Sequence, residues 1–267
     1  MAKIGWIDTH THLVYHDQQH LQEHLEYAVH HGVSDVVAIA LEKSEWLAHE
    51  KMKLLSPHLR IHTTLGGHPA EVFKWSEERF NAFMKQLSSV DIVAVGEIGL
   101  DFYWDKDHHE LQKQRFIAQI ELANERKLPI LVHCRDAFEA CLKILQNHPP
   151  KYHGIMHCYS GSKEMALEFL KVGMDISLAG PLTFKNAITP KEVADIVPLD
   201  RLHIETDAPY LTPHPFRGKR NHTGYVHYVG EELSRIKNMN ESDVKNQLAL
   251  NFQRIFTKKI DKFLRVC

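Results

Sequence analysis

Eight short segments rich in branched apolar residues punctuate the chain, and the gaps between them are long enough for helices with one apolar face. The predicted strands lie near Ile4–Asp8, Asp35–Ala40, Arg60–Leu65, Ile92–Glu97, Pro129–His133, Gly154–His157, Met174–Leu178 and Arg201–Glu205. The helical period is clearest over Leu111–Arg126, where Leu111, Arg115, Phe116, Gln119, Ile120, Leu122 and Ala123 share a face. Alternating strands and helices, with strands that are apolar throughout, imply a parallel sheet covered on both faces. An open doubly wound sheet and a closed barrel both satisfy that pattern. Polar residues of one chemical type recur at the C-terminal ends of strands far apart in sequence, and only a closed ring gathers them. The expected fold is therefore α/β, a (β/α)₈ TIM-type barrel.

Length agrees with this, since such barrels take roughly 250 residues and the chain has 267. A single domain over residues 1–267 is expected, because no linker divides it. The long Pro-, Gly- and Arg/Lys-containing stretch Ala208–Tyr225 reads as a loop over the barrel mouth, followed by closing helices at Glu231–Arg235 and Ser242–Phe256. An apolar content of 43% and a charged content of 25% are ordinary for a globular protein with a sizeable core. There is no membrane-length apolar run, and the N-terminus lacks the apolar stretch and cleavage site of a secretory signal, so the chain reads as cytoplasmic. Its four cysteines, Cys134, Cys141, Cys158 and Cys267, have neither zinc-finger nor disulfide-framework spacing and read as reduced thiols. A net charge of -2 gives no global attraction for a polyanion, so nucleic-acid binding would depend on local cations or metal.

The 21 histidines decide nothing by number alone; their positions do. Strand one ends in Asp8-Thr9-His10-Thr11-His12, and alternation along a strand puts the two histidines on one side, about 7 Å apart at Cα. Glu97 follows the apolar run Ile92-Val93-Ala94-Val95 and Gly96, where a carboxylate needs a cation or hydrogen-bond donors. His133, His157 and Asp207 each stand where a strand empties into the mouth. Six ligands exceed the roughly three protein ligands of one catalytic zinc, so two divalent ions are expected. Glu97 is the predicted bridge, with His10, His12 and Asp207 on one ion and His133 and His157 on the other. Ions held about 3.5 to 4 Å apart activate a shared water as nucleophile, and Asp207 is the predicted acceptor of its proton. Mixed imidazole and carboxylate donors suit Zn, Mn, Fe or Ni more readily than Mg. Strand alternation turns Cys134 and Cys158 away from the mouth, and Glu205 is a candidate partner for a ligating histidine.

These residues resemble the TatD family of metal-dependent deoxyribonucleases, within the amidohydrolase-like barrels. The likeness runs along essentially the whole chain through Asp8-Thr9-His10-Thr11-His12, Gly67-His68-Pro69, Gly96-Glu97-Ile98-Gly99-Leu100-Asp101, His133-Cys134-Arg135, His157-Cys158-Tyr159-Ser160-Gly161 and Glu205-Thr206-Asp207-Ala208-Pro209-Tyr210-Leu211. It implies a barrel, two divalent ions and hydrolysis of phosphodiester bonds in DNA, from 3' ends of single strands. It also marks His68, Arg135, Arg217, Lys219 and Arg220 as substrate-side residues: arginine forks onto phosphate oxygens, and His68 can steady an oxyanion or protonate a leaving group. Neither a membrane nor an obligate protein partner is implied. The chain departs from the family where Asn-Glu-Pro gives way to Asn221-His222-Thr223-Gly224, which leaves open whether His222 takes the place of the missing glutamate. Two alternatives stay open beside the nuclease: the same activated water attacking an ester or amide carbonyl, and a metal-binding barrel that serves as a scaffold without turnover.

Overall fold

The computed structural model describes residues 4–16 and 18–256; Cys267 lies outside them. Eight strands, β1 (Trp6–Thr11), β2 (Val33–Ala40), β3 (Arg60–Leu65), β4 (Val95–Asp101), β5 (Ile130–Arg135), β6 (Gly154–Met156), β7 (Met174–Leu178) and β8 (Leu202–Ile204), pair in sequence order, each parallel to the next. Helices α1 (Leu21–His30), α2 (Lys43–Met52), α3 (Pro69–Val72), α4 (Glu77–Ser89), α5 (His109–Arg126), α6 (Phe138–Asn147), α7 (Lys163–Lys171), α8 (Thr189–Ile196), α9 (Val226–Lys237) and α10 (Glu241–Phe256) fill the intervals and the C-terminal end. A doubly wound sheet reverses its strand order at a switch point; this one does not. The ring closes at its C-terminal rim, where Asp207 N donates to His10 O at 2.9 Å and His12 N to Ala208 O at 2.8 Å.

The main apolar layer lies between strands and helices. A second, smaller cluster of Ile7, Val37, Ile39, Ala94, Leu131 and Ile155 packs against Phe252, Ile255 and Phe256 of α10. The strand pattern predicts most segments closely, but two are displaced: β1, expected over Ile4–Asp8, forms over Trp6–Thr11, and β4, expected over Ile92–Glu97, forms over Val95–Asp101, so Glu97 is its third residue and Asp101 its last. The apolar run before it is a buried entry segment; periodicity cannot separate such a run from a strand.

Two interruptions of the ladder bear on the site. Asp8 pairs with Val36 but Thr11 with Ala38, so β1 spends one extra residue between them. Likewise Val95 pairs with Ile130 and Ile98 with Val132, giving β4 an extra residue around Glu97. A bulge of this kind re-aims the side chains beside it. The two bulges enclose His10 and Glu97. Gly99 then permits close approach of β4 to β5: it sits at φ 141°, and a Cβ there would overlap the His133 carbonyl oxygen.

The other end of the barrel carries two matching ion clusters. Asp35 on β2 accepts from Arg60 and His62 on β3, and Asp175 on β7 accepts from Arg201 Nε (2.6 Å), His203 Nε2 (3.0 Å) and Arg254 of α10 (2.5 Å). Burial opposes ionisation of Asp175, but its donors, His203 first and the two arginines with it, outweigh burial and bring the carboxyl down to about 2. A carboxyl pKa depressed by folding adds stability that is complete above the unfolded value near 4 and drains away as pH falls toward 2. Asp175→Asn is expected to lower unfolding free energy by about 3 kcal/mol at neutral pH, because it strands the guanidinium groups. Urea melts should show this loss, together with a shallower fall in stability between pH 4 and pH 2 than in the parent protein.

Candidate metal centre

The structure brings His10, His12, Glu97, His133, His157 and Asp207 into one cluster at the C-terminal rim. Glu97 is its hub: 2% exposed, it divides the imidazoles between its two oxygens. Oε1 lies 2.8 Å from His157 Nε2 and 2.9 Å from His133 Nδ1. Oε2 lies 3.3 Å from His10 Nε2 and 3.8 Å from His12 Nε2, and Asp207 Oδ1 faces the same two rings at 3.7 and 3.5 Å. Asp207 holds a left-handed φ of 53°, which aspartate tolerates better than most residues. The bonds that close the barrel hold its backbone, so ring closure and placement of this carboxylate are one event.

The protons of His157 and His133, the two imidazoles nearest Oε1, can be traced. His157 Nδ1 is 3.1 Å from Glu205 Oε1, and His133 Nε2 is 3.0 Å from Asp101 Oδ2. Carboxylates only accept, so each ring spends its N–H there and turns its remaining lone pair on Glu97. Lone pairs pointed at a carboxylate oxygen at hydrogen-bond distance require a cation between them, a proton or a metal. Burial resists charging His157, but Glu97 and Glu205 overcome it and raise its pKa well above the ordinary imidazole range. Burial likewise resists ionising Glu97, and His157, His68 and His10 overcome that, holding it well below the carboxylate range. Both shifts report one local demand for positive charge. His10 adds to it: burial lowers its pKa, and neither ring nitrogen has a hydrogen-bond partner. Orphaned buried imidazole nitrogens facing carboxylates, with outer carboxylates fixing the tautomers, are the donor set a divalent cation takes. Among the described residues, three groups have ligand atoms within 4.8 Å of one another: His10–His12–Asp207, His10–His157–Glu205 and His68–Glu97–His133.

His68 differs from the other imidazoles. It caps α3, its Nδ1 accepting from Ala70 N at 3.1 Å, so the neutral ring carries its proton on Nε2, 3.3 Å from Glu97 Oε1. Burial lowers its pKa and favours that neutral form. It is thereby a donor toward the centre, with no lone pair free to ligate.

Two residues that sequence reasoning left without a role hold this arrangement. Asp101 anchors His133, and Asp8 accepts from His10 N, Thr206 N and Thr206 Oγ1, bracing β1 against the segment that carries Asp207. Their presence inside the quoted motifs was the only signal. The face of α5 also proves mixed rather than apolar. Gln112 pairs with both N and O of Asp101, Gln119 with both N and O of Gly67, and Arg115 with the Val72 and Trp75 carbonyls.

The substrate-side candidates separate. Arg135 is exposed on the rim, its guanidinium 3.9 Å from the Tyr103 ring. Arg220 donates to the carbonyl of Tyr15, whose ring stacks on His12 at 5.3 Å. Arg217 lies over Phe184, outside the long loop, and Lys219 over Phe216, within it. His222 is not brought to the centre either. Its Nδ1 accepts from Gly224 N at 2.8 Å and its ring stacks on His24 at 3.6 Å, while burial, with His16 and His31, brings its pKa down to about 3. Cys134 turns toward Cys141 of α6 as alternation predicts. Cys158 does not follow the rule: at φ 42° it has left the strand, and burial together with Asp207, Glu205 and Glu97 pushes its thiol well up.

Comparison with known proteins agrees with this architecture. A family model described as TatD related DNase matches residues 7–257. An uncharacterized metal-dependent hydrolase of Bacillus subtilis, YabD, is 41% identical over 254 residues, covering 93% of this chain and 98% of the relative. The 3'-5' ssDNA/RNA exonuclease TatD of Pantoea ananatis is 30% identical over 200 residues, 73% of this chain and 77% of its own. Among solved structures, the TatD homologue YJJV of Escherichia coli aligns with a TM-score of 0.87 at 27% identity, over 94% of this chain and 98% of that one. With its barrel, its histidine and carboxylate cluster and a family match spanning nearly its full length, the chain belongs to the TatD-related DNase family of metal-dependent hydrolases.

Proposed function

We propose that the chain is a deoxyribonuclease that hydrolyses phosphodiester bonds in single-stranded DNA from the 3' end, using two divalent ions. The observation that carries this is the division of imidazoles between the two oxygens of Glu97, which supplies two adjacent donor sets. His10, His12 and Asp207 form one, His133 and His157 the other, and Glu97 belongs to both. Zn, Mn, Ni and Fe suit these donors better than Mg. The Pantoea relative, named for 3'-5' action on ssDNA and RNA, supports the substrate. Among the described residues no helix is long and apolar enough to cross a membrane, and the described cysteines are free, in keeping with a cytoplasmic enzyme.

Ions held by these residues would draw in phosphate oxygens and make a neighbouring water more acidic. The Asp207 carboxylate accepts the proton of the attacking water. His68 donates a hydrogen bond from Nε2 to a phosphate oxygen, a task its cap bond prepares by holding Nδ1 as acceptor. Arg135, exposed on the rim, meets the phosphate with its guanidinium fork.

Metal analysis of purified protein is expected to give two equivalents of divalent ion. Asp101→Asn should weaken metal affinity about 10- to 100-fold, since it leaves His133 Nε2 without a carboxylate. Unchanged affinity would remove Asp101 from the centre.

Cleavage of a 5'-labelled oligonucleotide with a free 3' end should disappear with a chelator, return with metal, and fall at least about a thousandfold in Glu97→Gln. Blocking the 3' end should protect the strand. Chelator-resistant cleavage, or turnover of carboxylic esters and amides with none of oligonucleotides, would overturn the nuclease reading in favour of a carbonyl hydrolase on the same barrel.

A further inference from the structure

The loop from β4 to α5 presents two large aromatic side chains to solvent, Tyr103 at 47% and Trp104 at 67% exposure. Tryptophan is normally well buried, so a Trp this open on a fixed backbone calls for an occupant. The backbone here is fixed. Asp101 Oδ1 accepts from Tyr103 N at 3.0 Å and Trp104 N at 2.9 Å. One residue on, Asp105 accepts from Asp107 N, His108 N and Gln112 Nε2. The rings stand edge to face with centroids 4.8 Å apart, and the Arg135 guanidinium lies 3.9 Å from the Tyr103 ring and 5.6 Å from that of Trp104.

This group is joined to the metal centre by one carboxylate. Asp101 holds both loop amides on Oδ1 and His133 Nε2 on Oδ2. Arg135 follows His133 by two residues on β5 and pairs in register with Asp101. An open indole, a neighbouring phenol ring under a guanidinium and a candidate hydrolytic centre two residues along β5 match one ligand chemistry. An unpaired nucleobase stacks on the aromatic face while its phosphate meets the arginine. We infer that Tyr103, Trp104 and Arg135 form a stacking platform for an unpaired base of single-stranded nucleic acid. This rests on the phosphodiesterase reading above and extends it. The platform takes bases already out of the duplex, so it selects single strands without reading sequence, because every base offers a π-face.

Two measurements test it with the full-length protein. In steady-state cleavage, the substrates are oligothymidylate and an oligomer of equal length whose 3'-terminal nucleotides are abasic. Tyr103→Ala and Trp104→Ala are each expected to raise the KM for oligothymidylate relative to the abasic oligomer about tenfold. The change should lie in KM rather than kcat, and Trp104→Phe, which keeps an aromatic face, should restore most of the difference. An equal rise for both substrates, or none, overturns the platform while leaving the nuclease standing. The second measurement titrates the inert Glu97→Gln protein with the same two oligomers and follows tryptophan fluorescence. Trp6 and Trp75 are buried and Trp46 is partly buried, which leaves Trp104, at 67% exposure, the residue most open to quenching. Quenching by oligothymidylate and not by the abasic oligomer supports stacking; base-independent or absent quenching overturns it. If the parent protein cleaves no oligonucleotide, the nuclease reading fails, and the titration alone decides the platform.

Discussion

The carboxylate of Glu97 is the interaction on which the rest of this molecule turns. Removing such a group from water is expensive unless charge or donors surround it, and here imidazoles surround it on both oxygens. Almost every unusual feature of the barrel serves that meeting. The bulge in β1 brings His10 and His12 to the rim, and the bulge in β4 does the same for Glu97. Bonds from Asp207 and His12 close the ring where the second carboxylate is needed. Two of the ladder irregularities fall at the metal centre; another, between Trp6 and Ile7, lies at the start of β1.

Precision in such a site depends on what stands behind it. The polar stripe of α5, Gln112, Arg115 and Gln119, reaches inward and takes the backbone groups of the two loops that flank Glu97. Gln119 satisfies both polar groups of Gly67 beside His68, while Gln112 does so for Asp101 behind His133. Buried backbone amides left unpaired cost free energy, so these glutamines stabilise the fold and position the site through the same bonds. One helix thereby sets the spacing between the donor His68 and the ring of His133.

Strand alternation and placement made much of this legible in advance. Strand-end histidines and carboxylates identify the barrel and its six converging side chains, because a closed ring leaves few other places for them. Three things escaped for physical reasons. β4 was displaced because an apolar entry segment and a strand share one pattern. Asp8 and Asp101 act through hydrogen bonds whose partners lie on other elements, and a sequence carries no distance between them. Cys158 was assigned by alternation to the outer face, but alternation holds only while the backbone stays extended, and a left-handed residue ends it.

The same reasoning decides what His222 does. A histidine ligates through a nitrogen lone pair, and the Nδ1 of His222 is already committed to Gly224 N as the cap of a short helical turn. Its neutral form therefore carries the proton on Nε2, and its low pKa keeps it neutral where it stacks on His24 and packs at a tilt against Tyr27. Thr223 beside it bonds Thr11 across to β1, next to His10 and His12. The segment Asn221-His222-Thr223-Gly224 thus packs an imidazole on His24 and Tyr27, and its bond to β1 runs through Thr223 and Thr11. The charge balance at Glu97 is left to the residues that surround it directly.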